Sequence, residues 1–177
     1  MDKQSFDSKF KNIITSPLFE LGFQESGNSL FMADAQNALS LIRLGGKMAS
    51  SGGIAHVLCF RHSFLPNLDE AIPVGFEKEV FSYPIKLRPQ KVKGILGTKI
   101  NYVSSNLNFD YEKFEFENKT DIEVDKYLRT VLEATKILIA WAENNPPSVL
   151  AKQIEKNGES AWIEKMWLAA YAEQAVT

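Results

Sequence analysis

Apolar residues near the start of the chain recur at spacings of three and four, the period of one helix face. The pattern predicts an N-terminal amphipathic helix over residues 5–21, with Ser5 as its N-cap. Gly22 follows the last apolar position and is expected to end the helix in the left-handed region that glycine adopts without strain. Because Pro17 removes one helical hydrogen bond, the helix is expected to kink there or to divide into two pieces.

The middle of the chain shows the alternation of apolar and polar residues that is typical of strands. The longest predicted strand places Val57, Cys59 and Arg61 on one face and both histidines of the chain on the other. Pro84 cannot donate a ladder hydrogen bond, which favours an edge position for its strand. The predicted strands cover residues 30–32, 38–44, 54–64, 79–87, 99–103 and 109–116.

The last third of the chain returns to helical periodicity. An apolar stripe predicts a long helix over 121–143, and Asn145 followed by Pro146 is expected to begin a short helix that ends at Gly158. A final helix is predicted over 159–174. The tryptophans fall among apolar positions at helical spacing and are expected in the core: Trp141, Trp162 and Trp167.

Strands that are grouped together and then followed by helices indicate an α+β fold rather than a parallel α/β sheet. The links between strands are too short for helical crossovers, so a single, mainly antiparallel sheet is expected. An N-terminal helix and a C-terminal group of about three helices would cover its apolar faces. We therefore expect one α+β domain over 1–177, with the N-terminal helix in 1–23, the sheet in 28–117 and the helical part in 120–175.

Two stretches of the chain carry a resemblance to a known family. The first is the N-terminal helix with the segments Leu21 to Phe23 and Gly27 to Phe31, and the second runs from Phe81 to Leu87 after a long strand. Over about the first half of the chain, the sequence resembles a bacterial family known as domain of unknown function 4304. The resemblance implies a bacterial α+β domain. It brings no assigned activity and no catalytic residues.

The composition narrows the class of protein. Twenty Lys and Arg against 22 Asp and Glu give a net charge of −2, which argues against a dedicated nucleic-acid binder. The longest apolar run, 137–142, is far below the roughly 20 residues of a membrane span, and the polar start lacks a signal-peptide core. A cytoplasmic protein without membrane association is therefore expected. One cysteine allows neither an intramolecular disulfide nor a cysteine zinc cluster.

Residues with reactive side chains are few and scattered. His56 and His62 lie on the same face of one predicted strand about 20 Å apart, so they cannot share a metal ion. We interpret each as a hydrogen-bonded, partly buried residue, and Cys59 as a small buried hydrophobe. The glycine-rich segment 45–53 lacks the spacing of a phosphate-binding P-loop and is interpreted as a hairpin loop. No catalytic constellation, metal site or cofactor motif is expected.

The charges nevertheless suggest one candidate site. No acidic residue lies between Glu79 and Asp110, and in an antiparallel meander the loops 45–53 and 88–98 should emerge at the same end of the sheet. Glycine-rich backbone and several cations would then form an anion-binding site. The alternative is that the acidic stretch 110–125 neutralises this surface. The candidate ligand-binding residues are Lys47, His56, Arg88, Lys91 and Lys93.

The missing catalytic constellation favours a non-enzymatic bacterial protein that binds another macromolecule. Immunity-like proteins are one analogy, and another protein is one class of partner, although its identity is not predicted. The alternative is a domain that binds a small anionic ligand, or an unrecognised enzyme. An interaction protein requires an exposed apolar or charged patch without a deep pocket. A ligand-binding protein or an enzyme requires a concave pocket with converging polar groups and a perturbed histidine.

Overall fold

The computed structural model describes residues 1–45, 52–91, 113–157 and 162–175. Within these residues, a helical segment, a five-stranded sheet and three helices follow one another along the chain. This order confirms the α+β fold with an antiparallel sheet, an N-terminal helix and C-terminal helices. In the same part of the chain, no helix combines the length and the apolar character that a membrane crossing requires.

The sheet is a meander in which each strand pairs antiparallel with the next. Its strands are β1 (Gln24–Ser26), β2 (Ser29–Ala33), β3 (Asn37–Arg43), β4 (His56–His62) and β5 (Ile85–Leu87). Asn37 pairs with His62 at one limit of the β3–β4 ladder, and Arg43 pairs with His56 at the other. We call these limits the Asn37 end and the Arg43 end of the sheet.

The N-terminal helix is divided, as the proline predicts. Helix α1 (Lys3–Phe10) passes through one π turn (Lys11–Thr15) into α2 (Ser16–Glu20). The π turn ends at Thr15, two residues before Pro17, and the Ser16 N–H bonds to the Lys11 carbonyl five residues back. The widened turn thus lies beside the residue that has no N–H to donate to the helix. Asp2 is the N-cap and accepts a hydrogen bond from the backbone N–H of Ser5, so the predicted cap was three residues late. Gly22 ends the helix at φ 90°, as expected.

Three helices form the C-terminal part: α3 (Asp121–Asn144), α4 (Pro147–Asn157) and α5 (Trp162–Gln174). Thr120 and Glu123 form a capping box at the start of α3, in which each side chain bonds the other residue's backbone N–H. The predicted stripe of α3 is buried from Val124 to Leu138. Trp162 differs from its prediction: it begins α5 and is 53% exposed, because it lies on the outer face of the helix.

The sheet carries apolar side chains on both faces. Leu58 and Phe60 of β4 face the N-terminal and C-terminal helices in the main core. Val57 and Cys59 face the opposite side, where Tyr83 and Val80 from the segment before β5 cover them. The face assignment predicted for this strand is therefore confirmed, and the loop between β4 and β5 forms the second cover.

Two of the predicted strands take a different form. Residues 79–87, predicted as one strand, contain a 3-10 turn at Val80–Ser82 before the three residues of β5. Strand β1 was not predicted, because Gln24–Ser26 shows no alternation of apolar and polar residues. At the end of the predicted strand 109–116, Phe114 forms an isolated antiparallel bridge with Ile54. The predicted strand 99–103 lies outside the described residues.

Candidate functional site

The Arg43 end of the sheet is where the sequence predicts an anion site. Arg43 pairs with His56, and Leu87 pairs with Leu58 close by, so β3 and β5 both leave the sheet at this end. The chain flanking the two predicted loops therefore emerges on the same side. This is the arrangement that the hypothesis requires.

The cations expected there are described only in part. Arg88 is half-buried. Outside the described residues lie Lys47, Lys93 and the side chain of Lys91. The backbone N–H of Glu117 donates to the carbonyl of Gly52 at 3.2 Å, so part of the acidic stretch reaches this end, as the neutralisation alternative assumes. The anion site stays a prediction.

His56 does not bring a positive charge to this end. Its ring is buried in a near-parallel stack on Phe10, with centroids 5.2 Å apart, and its Nδ1 lies 3.3 Å from the Tyr127 hydroxyl. Burial, and secondarily the charge of Arg43, lowers the pKa of His56 from 6.5 to about 3. A ring that is neutral at physiological pH cannot act as an anion-binding cation.

The Asn37 end carries a cleft that contains the second histidine. The turn between β2 and β3, the end of β4 and the junction of α3 with α4 enclose about 720 Å³, a volume typical of small-molecule sites. We call it the His62 cleft. Its lining residues that matter for chemistry are Asp34, Asn37, His62, Phe64, Glu143 and Asn145.

Cross-strand pairing fixes the orientation of His62. Because Asn37 lies opposite it in the ladder, its Nδ1 comes within 3.1 Å of the Asn37 Oδ1. An amide oxygen only accepts, so Nδ1 carries the proton and Nε2 keeps a lone pair. Asn37 is held in turn by the Asp34 side chain, which accepts a hydrogen bond from its backbone N–H at 2.7 Å. The turn and the strand together set the tautomer.

Burial keeps this ring uncharged. His62 is 2% exposed, and burial lowers its pKa to about 4, although a hydrogen bond to the Gln36 backbone acts in the opposite direction. Its Nε2 has no hydrogen-bond partner among the described residues. The site therefore contains a neutral imidazole with an unused acceptor at physiological pH.

Aromatic rings form the wall beside His62. Phe64 lies parallel to His62 at 5.7 Å between centroids, and Tyr171 of α5 stands perpendicular to both rings. Phe64 also lines a second, adjoining cleft of about 540 Å³ between α4 and α5, which Tyr171 borders. The half-buried Phe64 ring thus separates two neighbouring spaces.

The charge around the His62 cleft is negative. Asp34 and Glu143 are exposed at its rim, and no lysine or arginine lines it within the described part of the chain. Carboxylates repel anionic ligands. The cleft is therefore suited to a neutral or cationic molecule, unlike the site predicted at the Arg43 end.

A second group of buried polar residues lies under the loop between β4 and β5. Arg61 is 1% exposed and donates to the backbone carbonyls of Leu65, at 2.8 Å, and Pro73, at 3.3 Å. Lys86 donates to the Tyr83 carbonyl at 3.0 Å, and burial lowers its pKa to about 8. Burial raises the pKa of the Cys59 thiol, which makes it an inert thiol as expected. These residues attach the loop to the sheet.

Sequence reasoning passed over the residues that form the His62 cleft. His62 was interpreted as structural because no partner lies near it in sequence. Its partners come from another strand and from the last helix, and the sequence alone places neither of them beside His62. Within the described residues, no group of histidine, cysteine and acidic side chains could hold a metal ion.

Comparison with known proteins adds no identification. No family model, curated protein or solved structure matches the chain. The resemblance to domain of unknown function 4304 therefore stays a prediction.

Proposed function

We propose that this protein binds a small molecule in the His62 cleft. The observation that carries the proposal is a buried, neutral histidine whose Nε2 lacks a partner and which lines a concave space of about 720 Å³. Among the alternatives raised by the sequence, a pocket with converging polar groups and a perturbed histidine is what a ligand-binding protein requires.

A titration followed by NMR tests the proposal. A set of small polar molecules is added to ¹⁵N-labelled protein at pH 7, and we expect amide shifts to concentrate at Asn37, His62, Phe64 and the start of α4. The variant Ala35→Trp would place a large side chain at the rim of the cleft and should abolish these shifts. Ala169→Trp, on an exposed position of α5, is the matched control and should leave them unchanged. Shifts that are absent, or that survive Ala35→Trp, would contradict the proposal.

A second candidate function is binding to another protein. The observation that favours it is the loop between β4 and β5, where Ile72 and Val74 are 60% and 102% exposed although both are apolar. A partner retained by the wild type and lost by the double variant Ile72→Ser and Val74→Ser would support this function. Equal retention by both proteins would count against it.

The proposed setting is the bacterial cytoplasm. The bacterial origin rests on the family resemblance alone. The cysteine Cys59 is a free, fully buried thiol, which is compatible with a reducing compartment. Fractionation of cells that express a tagged full-length chain tests the location, and recovery in a secreted or membrane fraction would contradict it.

A further inference from the structure

Two buried polar atoms on rings that neighbour Phe64 lack hydrogen-bond partners in the part of the chain that the structure describes. They are the Nε2 of His62 and the hydroxyl of Tyr171, and neither has a hydrogen bond among the described residues. The residues are 2% and 8% exposed, so solvent does not satisfy these atoms at the surface. Buried polar atoms in native proteins are almost always paired, and an unpaired one calls for an explanation.

The two atoms have complementary hydrogen-bonding roles. The proton on Nδ1 is directed to the Asn37 Oδ1, so the Nε2 of His62 can only accept. Burial raises the pKa of Tyr171, so its hydroxyl stays protonated and can donate. An acceptor and a donor on neighbouring rings fit a ligand that offers a donor and an acceptor side by side.

The surroundings favour a flat and uncharged ligand. The His62 and Tyr171 rings are perpendicular, with centroids 5.8 Å apart, and Phe64 lies parallel to His62. Planar groups stack on such walls. Asp34 and Glu143 disfavour an anion, and an ammonium group has no acceptor to offer the Tyr171 hydroxyl.

We propose that the His62 cleft, together with the adjoining cleft that Tyr171 borders, recognises a neutral cyclic amide, whose N–H donates to the His62 Nε2 and whose carbonyl oxygen accepts from the Tyr171 hydroxyl. Binding in this way requires the Phe64 ring, which is half-buried and borders both adjoining clefts, to move aside. This inference rests on the proposed small-molecule function and specifies the class of ligand.

Three probes on the wild-type protein test the recognition. The probes are 2-pyridone, which has the adjacent N–H and carbonyl, N-methyl-2-pyridone, which lacks the N–H, and piperidine, which is a cation at pH 7. We expect 2-pyridone to shift the amides of Asn37 and His62, and N-methyl-2-pyridone to bind at least 10-fold more weakly, because it leaves the buried acceptor unpaired. Equal binding of the two pyridones would overturn the proposal.

A conservative variant tests the donor separately. Tyr171→Phe keeps the ring and removes the hydroxyl, and it should weaken 2-pyridone binding roughly 3- to 10-fold. Tyr127→Phe removes a hydroxyl at the Arg43 end and should bind 2-pyridone as the wild type does. Unchanged affinity in Tyr171→Phe would overturn the role of this hydroxyl, and circular dichroism melting checks that both variants are folded.

The outcomes separate this inference from the proposed function. If piperidine or another probe shifts the cleft residues while 2-pyridone does not, the cyclic-amide class is wrong and the small-molecule function remains. If none of the probes or of the wider set of polar molecules shifts those residues, both are wrong.

Discussion

Lowering the pH from 7.5 to 5 should destabilise the folded chain, because His56 and His62 are both buried as uncharged rings. Burial lowers their pKa values from 6.5 to about 3 and about 4, respectively. In the unfolded chain both rings regain the ordinary value. Between these values the unfolded state binds more protons than the folded state, so the free energy of unfolding falls as the pH drops through 6.5.

The size of the effect follows from the separation of the pKa values. At pH 5 an unfolded histidine is almost fully protonated and the buried one is not, which corresponds to about 2 kcal/mol for each residue and about 4 kcal/mol for both. Most unfolded carboxylates are still ionised at pH 5, so they contribute little over this range. A loss of this size is a large fraction of the 5–15 kcal/mol that stabilises a typical domain.

Urea unfolding at the two pH values measures the effect. The variants His56→Phe and His62→Phe should each reduce the loss between pH 7.5 and 5 by about 2 kcal/mol, whatever their stability at pH 7.5. Phe60→Leu, a buried change on the same strand, is the control and should keep the full loss. A wild-type free energy that changes by less than about 1 kcal/mol, or single variants that keep the full loss, would refute the reasoning.

Three further predictions concern stability. Leu138 and Trp167 are fully buried, so truncation of either to Ala should cost about 2–5 kcal/mol in urea unfolding, and unchanged midpoints would mean that the helices pack differently. Arg61→Met should leave the Leu65 and Pro73 carbonyls without this donor and lower the free energy of unfolding by about 1–3 kcal/mol. Proteolysis in the loop between β4 and β5 should become faster; an equally resistant loop would contradict the idea that Arg61 attaches this loop to the sheet. Thr120→Ala removes the capping box of α3 and should cost about 1 kcal/mol, whereas Lys136→Ala at an exposed position of that helix should be nearly neutral.

The antiparallel arrangement of β2, β3 and β4 and the helices were predictable because they depend on local periodicity and on short links. The strand 54–64 and the stripe of α3 have regular patterns, and burial follows them. Residues 79–87 show where a pattern misleads. Phe81 and Tyr83 alternate as in a strand, yet a 3-10 turn at Val80–Ser82 leaves Phe81 40% exposed while Tyr83 covers the second face of the sheet.

The candidate site was less predictable because it depends on contacts between distant elements. The separation of the two histidines along β4 was open to inference, and so was their common face. The partners of His62 were not: Asn37 reaches it through the register of β3 with β4, and Tyr171 through the packing of α5. A strand register is set by many weak pairings that a single sequence does not reveal. The angle and the rotation with which a helix packs on its neighbours are also not determined by its apolar periodicity.

The acid sensitivity and the proposed ligand class have one origin. A histidine that stays neutral when buried weakens the fold in acid, and the same neutrality leaves the Nε2 of His62 free to accept a hydrogen bond. A proton and an N–H donor would compete for this atom, so a bound cyclic amide would hold the pKa of His62 still lower. The carboxylates of Asp34 and Glu143 line the same cleft and would repel an anion. A neutral ligand is not repelled by them and needs no opposite charge from the protein. The Asn37 end is thus suited to recognising an uncharged polar molecule at physiological pH, in contrast to the anion site predicted at the Arg43 end.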